Sequence, residues 1–352
     1  MMILTTPSKI LLSRFLTRFG DQAWDFAIPL VLISLFPGHL QYVSIFYLVS
    51  KLAQFFINPT VLRWIDQLPR VSIYKIGIGA QTVAVITSWA IIYFFNAHLT
   101  QFNSLFTWVA LATLALLGIV GSLGSTLMEI SVGYDLAADI LPPKDLGLFN
   151  SRLKRIDLIT EVTSPLFAGL LLMIHLSDIK YIGFSLIALL NILTFIPEYL
   201  LLSSIHEIKF ESKPNISKES FSNPISEFIK GFQYFKEPSF VVPMTAYAFL
   251  WLSSLSPHGV LLSGYLKDIT KLSEFEISIF RGLGAFFGMI PTFIYPIIHK
   301  RWGLIKTGKL LLGFQALSAL GAAFAFQFKI DNSIYLFLFF VLLSRIGLYG
   351  FS

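Results

Sequence analysis

The chain of 352 residues contains no cysteine. That absence removes disulfide frameworks, thiolate nucleophiles and thiolate-held clusters together. Charge is scarce as well: Asp, Glu, Lys and Arg make up 13% of the sequence, against about 25% in an ordinary soluble domain. No GxxxxGK[ST] phosphate loop, HExxH, GxSxG or paired His ligand spacing occurs, so neither ATP-driven pumping nor another enzymatic activity is expected. What remains is apolar. Hydrophobic residues reach 55% with 35 Phe, and the mean hydropathy is +0.73. One water-soluble core cannot hide that much apolar surface, and the composition reads as an all-α polytopic membrane protein.

Apolar runs of about 20 residues, the length that crosses a bilayer, fall near 12–36, 41–63, 73–96, 104–130, 148–174, 180–202, 240–265, 275–298, 304–327 and 333–350. With Met1 in the cytoplasm, 19 basic residues lie in cytoplasmic segments and only Lys180, Lys267, Lys271 and Lys329 in outer ones. The positive-inside rule then sets the N-terminus inside. A net charge of +6 is accounted for by those loops, so no nucleic-acid partner is expected. The first apolar segment is interrupted by Arg14, Arg18, Asp21 and Asp25 and has no A-x-A-like cleavage site, unlike a signal peptide.

A polar stretch over 203–238 separates six spans (1–202) from four (239–352). Six spans, a charged cytoplasmic loop and a second set of spans is how major-facilitator transporters are organised. The connections RWIDQLPRVSIYKIG and HKRWGLIKTGK, both short and basic, fall at corresponding places on either side of the loop. A twelve-span fold is implied, of which about ten spans are present, with the second half stopping after four.

Ionisable groups inside apolar spans are functional candidates by default. Thr17, Asp21 and Asp25 stack along one helical face at i, i+4, i+8. Two carboxylates one turn apart repel unless a cation or a proton sits between them. The plainer alternative places Asp25 near the outer interface and pairs Asp21 with a neighbouring arginine. Asn191 and Glu198, seven apart, share a face of span six with Thr194 and Phe195 nearby, and Pro197 frees a backbone carbonyl there. Gln81 adds a buried amide. Such oxygen donors suit a hard divalent cation, while interhelical hydrogen bonding is the alternative use. In span seven Ser256-Pro257-His258-Gly259 breaks the helix and sets an imidazole at the break; a structural, hydrogen-bonded His258 is the competing reading. At the cytoplasmic end Asp66, Arg70, Asp135, Asp139, Asn150, Arg152, Lys154, Arg155, Asp157 and Glu161 form a charged cluster suited to a gate that makes and breaks ion pairs, or else to an anchor of solvated charges.

GDQAWDFA in the first span, RWIDQLPR with Gln81 following, NSRLKRIDLITEVTSPLFAG and ALLNILTFIPEY resemble the ferroportin iron exporters, in order and at family-like spacing. SPHGVLLSGYLKD is similar to the bacterial branch. The resemblance implies export of Fe²⁺, and of Co²⁺, Mn²⁺, Zn²⁺ or Ni²⁺, by a multi-pass monomer of the inner cell membrane with no tightly bound cofactor. It implies a metal site around Asp21 and Asn191, lined by Thr17, Thr194 and Phe195, and a transport-promoting Ca²⁺ site at Asp21, Gln81, Asn191 and Glu198. His258 becomes a second metal candidate, and Asp66, Arg70, Asp135, Asn150, Arg155 and Asp157 an inner gate; from the sequence itself Arg155 and Asp157, lying deeper than Lys154, are the favoured members. Asp25 stands where animal ferroportins carry a histidine, so an animal-type N-half site is not expected; the animal C-half site uses a span-seven cysteine that this chain lacks, so hepcidin control, which depends on it, is not expected either. Proton exchange on the carboxylates or His258 would couple transport to a pH gradient. A carrier of an organic cation or other small solute remains the alternative, with a membrane enzyme or scaffold behind it.

Overall fold

In lipid a backbone must satisfy its own hydrogen bonds, which leaves long apolar segments the choice of helix or closed barrel. Every regular element among the described residues is a helix. The computed structural model describes residues 5–101, 104–174, 181–205, 256, 259–327 and 333–351, together with 229, 232, 233, 241 and 245.

The N-terminal helices are α1 (Thr6–Leu35), α2 (Leu40–Gln67), α3 (Arg70–Leu99), α4 (Leu105–Ile130), α5 (Ala137–Ile140), α6 (Pro143–Leu172) and α7 (Ile182–Ser203). A π-helical turn, Ser131–Leu136, joins α4 to α5. The C-terminal helices are α8 (Val260–Asp268), α9 (Glu274–Gln327) and α10 (Ser333–Phe351). At 1.5 Å per residue the 30 residues of α1 extend about 45 Å, more than a bilayer core. Pro29, Pro165 and Pro197 sit inside α1, α6 and α7 without ending them. The local opening expected at Pro197 is therefore not a helix end. α9 is two helices joined at Gly303, whose φ of 75° and ψ of 170° suit a residue without Cβ. That joint lies in the basic HKRWGLIKTGK connection, and α3 likewise starts after Pro69 in RWIDQLPR.

Among the described residues, seven helical stretches are long and apolar enough to cross a membrane: Leu40–Asn58, Arg70–Asn96, Leu105–Ile130, Ile182–Ser203, Glu274–Tyr295, Ile305–Gln327 and Ile334–Phe351. Each coincides with one of the ten expected runs. Of the other three, α1 and α6 are long helices loaded with charge, namely Arg14, Arg18, Asp21 and Asp25 in one and Arg152, Lys154, Arg155, Asp157 and Glu161 in the other. The run at 240–265 lies mostly outside the described residues, as does nearly all of the loop expected at 203–238. A count of ten therefore does not follow from the described helices.

α1 packs along α6 and α7, α3 packs on α4 and α7, and α2 packs on α4. α9 folds back on α10 and its first arm lies against α6, while α8 touches α1 and α2. Large apolar side chains such as Phe55, Phe56, Leu116, Leu193, Phe293 and Phe324 point outward, as lipid-facing residues do. The buried apolar residues divide into two layers. One gathers at the end of the bundle where α1 starts, around Ile10, Ile65, Ile73, Met128 and Leu202. The other gathers where α1 finishes, around Phe26, Leu32, Phe46, Leu114, Phe184 and Phe337. These are the proximal and distal ends below, and the polar residues of α1 lie between the layers.

Candidate metal site

Residues 17–21 of α1 pass where α7 comes closest. The approach depends on Gly20: a Cβ there would stand 2.9 Å from Thr194 Oγ1 and 3.0 Å from Asn191 Oδ1, closer than side chains tolerate. One face of this segment meets α7. Thr17 Oγ1 lies within hydrogen-bond reach of both Glu198 Oε1 and the Ser13 carbonyl, and its one hydrogen is shared between them. Asn191 and Glu198 are fully buried, with Thr194 and Phe195 beside them. Asn191 Nδ2 donates to the Ile187 carbonyl at 3.2 Å, and the Thr194 hydroxyl donates to the Asn191 carbonyl at 2.8 Å.

The adjoining face carries Asp21 toward α3 and α4. Gln81 Nε2 lies 3.1 Å from each Asp21 oxygen, and the Ser125 hydroxyl donates to Oδ2. Asp21 is thus held by neutral donors rather than by arginine. The plainer expectation of an Asp21–arginine pair is not what forms, because both nearby arginines are engaged elsewhere.

Three oxygens around this segment, Gln81 Oε1, Asn191 Oδ1 and Glu198 Oε2, are buried and receive no hydrogen bond. A buried acceptor without a donor is unfavourable by about 1–3 kcal/mol, so three around one stretch of helix make it a candidate place for a cation. One carboxylate and two amides, with the Asp21 carboxylate and the Thr17 and Thr194 hydroxyls nearby, are the oxygen donors a hard ion takes. Among the described residues no group of three or more His, Asp or Glu side chains is placed to hold a metal ion; amide oxygens have to complete any coordination shell. Asp21, Asp25 and Gln81 also line a cavity between α1, α2, α3 and α4 that continues past Ser50, Lys51, Gln54 and Ser125. The i, i+4 carboxylates of α1 therefore do share one compartment.

Toward the proximal end the charges pair. The buried Arg14 reaches Asp157 at 3.0 Å and Glu129 at 3.0 Å, and Arg18 reaches Glu129 at 3.0 Å and Asp157 at 3.4 Å. Arg70 pairs with Asp135 at 3.1 Å and with Asp139. Of the expected gate residues, Arg70, Asp135 and Asp157 enter these networks. Asn150 and Arg155 are exposed on α6, and among the described residues no ion pair includes Arg155. Its neighbour Asp157, two residues on, faces the bundle and Arg155 does not. The Asp66 side chain and all of His258 lie outside the described residues. Gly259, in extended conformation, caps α8 and donates its N–H to the Ser256 carbonyl at 2.8 Å.

Several polar residues of this region escape a reading by spans and ends. Ser125 and Glu129 sit one turn apart within the apolar run of α4, and Arg281 and Arg345 lie inside α9 and α10. The signal was available: each is a polar or charged interruption of an apolar run, and intramembrane charges are informative singly.

Residues 7–352 match the Ferroportin1 (FPN1) family. "Ferreportin" of Bdellovibrio bacteriovorus is 42% identical over 354 residues, covering 99% of this chain and 80% of that protein. Human ferroportin is 23% identical over 372 residues, covering 90% of this chain and 64% of its own length. Among solved structures, a bacterial homologue of the iron transporter ferroportin in an inward-facing state is 41% identical, covers 100% of this chain and 82% of that one, and gives a TM-score of 0.83. The outward-facing state of such a homologue, at 41% identity and 99% and 82% coverage, gives 0.71.

Proposed function

The chain belongs to the ferroportin family, and from that premise we propose that it is a secondary transporter exporting divalent transition metal, Fe²⁺ first, by alternating access in a major-facilitator arrangement. The observation that carries this reading is the set of undonated buried oxygens of Gln81, Asn191 and Glu198 around Asp21. In this reading the proximal end lies in the cytoplasm of a cell whose inner membrane holds the chain as a monomer.

Cargo entering from the proximal side meets Asp21 in the cavity wall. Turning the Gln81 amide over exchanges Nε2 for Oε1 at the Asp21 carboxylate, converting a donor into a second ligand. Asn191 Oδ1, Thr194 and Thr17 stand on the α7 side, with Phe195 shielding them from lipid. Desolvation of the ion is offset by two carboxylates whose mutual repulsion it relieves. The same oxygens, Asp21, Gln81, Asn191 and Glu198, suit Ca²⁺, and Ca²⁺ promotion of transport is part of the proposal. His258, in the sequence Ser256-Pro257-His258-Gly259, supplies a further metal ligand, and proton release there or at the carboxylates couples export to the pH gradient. Arg70 with Asp135, and Asp157 with Arg14 and Arg18, act as the inner gate that opens as the helices after residue 259 rock against those before 203.

Proteoliposomes loaded with a metal-quenched dye test this. Wild-type protein moves Fe²⁺ or Co²⁺, faster with Ca²⁺ present, and Asp21→Ala lowers the rate by about 100-fold, the upper range for loss of a metal-site partner. Undiminished flux in Asp21→Ala removes the site; absence of any divalent flux in the wild type, with an organic cation carried instead, removes the cargo.

A further inference from the structure

The Asp21 carboxylate is fastened unevenly. Its Oδ2 accepts from the Ser125 hydroxyl of α4 and, at 3.1 Å, from Gln81 Nε2 of α3, whereas Oδ1 accepts only from Gln81 Nε2 among the described residues, also at 3.1 Å. Ser125 directs its hydrogen differently from its neighbours. On the same two helices Thr82, Thr113 and Thr126 each donate back to the carbonyl four residues earlier, at 2.8, 2.8 and 3.0 Å, the local bond open to any helical hydroxyl. Ser125 donates across to α1 instead.

The packing brings it there. α3 and α4 approach at Gly77 and Gly124: a Cβ on Gly124 would stand 2.6 Å from the Gly77 carbonyl oxygen and 3.0 Å from Gln81 Cγ, and one on Gly77 would stand 2.9 Å from Met128 Cγ. Gln81 follows Gly77 by one turn and Ser125 follows Gly124 directly, so one close approach delivers both donors to the same carboxylate. Asp21 and Ser125 are half-buried and line the cavity between α1, α2, α3 and α4, where an ion can reach them.

We propose that Ser125 is a positioning residue that sets cation specificity: by holding Oδ2 it presents Asp21 to an ion through Oδ1 alone. The proposal rests on the transporter reading above and on the turning of the Gln81 amide described there. When that amide offers Oε1, its donor contacts with Asp21 are lost, and the Ser125 hydroxyl remains on Oδ2. One carboxylate oxygen is then free and the other engaged. Ca²⁺ has about six to eight oxygen positions to fill at about 2.3–2.6 Å and readily takes both oxygens of a carboxylate. A smaller transition-metal ion, with oxygens at about 2.0–2.2 Å and fewer positions, is served by one oxygen from each side chain. Asp21 held at Oδ2 therefore denies a ligand to Ca²⁺ and none to the smaller ion. Groups bonded to a ligating side chain tune affinity in this way. Ca²⁺ stays the weaker guest, able to promote transport without displacing the cargo.

The purified full chain in detergent is titrated by calorimetry with Co²⁺ and separately with Ca²⁺, and the ratio of the two dissociation constants is read. Ser125→Ala should move that ratio toward Ca²⁺ by about tenfold, the lower range for loss of a group bonded to a metal ligand. Ser125→Thr, which keeps a hydroxyl, should restore the wild-type ratio, and Ser125→Val, of the same shape without one, should shift it as Ser125→Ala does. The Thr and Val pair decides if Ser125→Ala does not fold. A purely structural serine would weaken both ions alike. A ratio that stays put in Ser125→Ala, or in Ser125→Val where the first is unfolded, overturns the proposal, as does a Ser125→Thr that shifts as far as they do. A wild type that binds neither ion defeats the site and this proposal with it. One that binds both but carries neither across a proteoliposome membrane defeats the transport reading, and the ratio still decides the role of Ser125.

Discussion

Two sets of polar residues alternate along the same stretch of α1 and meet opposite fates. Arg14 and Arg18 turn toward α4 and α6 and find Glu129 and Asp157, making a four-charge network closed within the protein. Thr17, Gly20 and Asp21, interleaved with them, turn toward α7 and α3 and find amides, hydroxyls and Glu198. The first face brings its own counter-ions. The second collects acceptors and leaves three of them without a donor. Paired charges toward the proximal end hold α1 to α4 and α6 in the arrangement observed, whereas buried oxygens without donors at mid-helix leave a candidate place for a cation. A protein built only for stability would have let the arginines serve both faces; here α1 keeps them one face away from Asp21.

This contrast can be broken from either side. The largest effect is expected on the closed network. Arg14→Met leaves Glu129 and Asp157 to Arg18 alone. Because those acids are 31% and 14% exposed, the loss should be about 2 kcal/mol, below the 3–5 of a fully buried broken pair. It reads as a lower unfolding temperature in detergent, and adding Glu129→Gln should recover part of it. A stability equal to wild type would mean that these ion pairs do not hold the closed proximal end together. On the open face the order reverses, with binding affected and stability little changed. Asn191→Ala should weaken Co²⁺ binding by calorimetry about tenfold, since the oxygen it removes has no structural partner to lose. The smallest change sharpens the geometry: Gly20→Ala forces Asn191 and Thr194 outward by a few tenths of an ångström, and about threefold weaker binding is expected, a displacement of ligands rather than their loss. If Gly20→Ala destabilises the fold as much as Arg14→Met does, the close approach of α1 and α7 is a packing contact and not a device for the site.

Much of the site lay open in the sequence because its elements are local. Asp21 and Asp25 one turn apart, and Asn191 and Glu198 two turns apart, are spacings that fix a shared face on any helix, and the cavity wall and the buried face of α7 follow them. Gln81 and Thr194 fell to the same rule that polar groups inside an apolar run look inward. The gate was harder. Asp157 and Arg155 are two residues apart and a helix sends them to different sides, so one pairs with arginine and the other is exposed. Adjacency in sequence gives no warning of which. Counting charges at span ends also hid Glu129, which lies within a span and matters through its arginine partners on α1.

From the sequence alone came a helical membrane protein, its apolar stretches and the faces on which its acids stand, since hydropathy and helical periodicity are properties of neighbouring residues. The tertiary structure decided which arginine answers which acid, as when Arg14 reaches Asp157 across 143 positions, and which oxygens stay unanswered. Those outcomes depend on how closely helices approach, and a single glycine opposite Asn191 sets that distance where no local pattern records it.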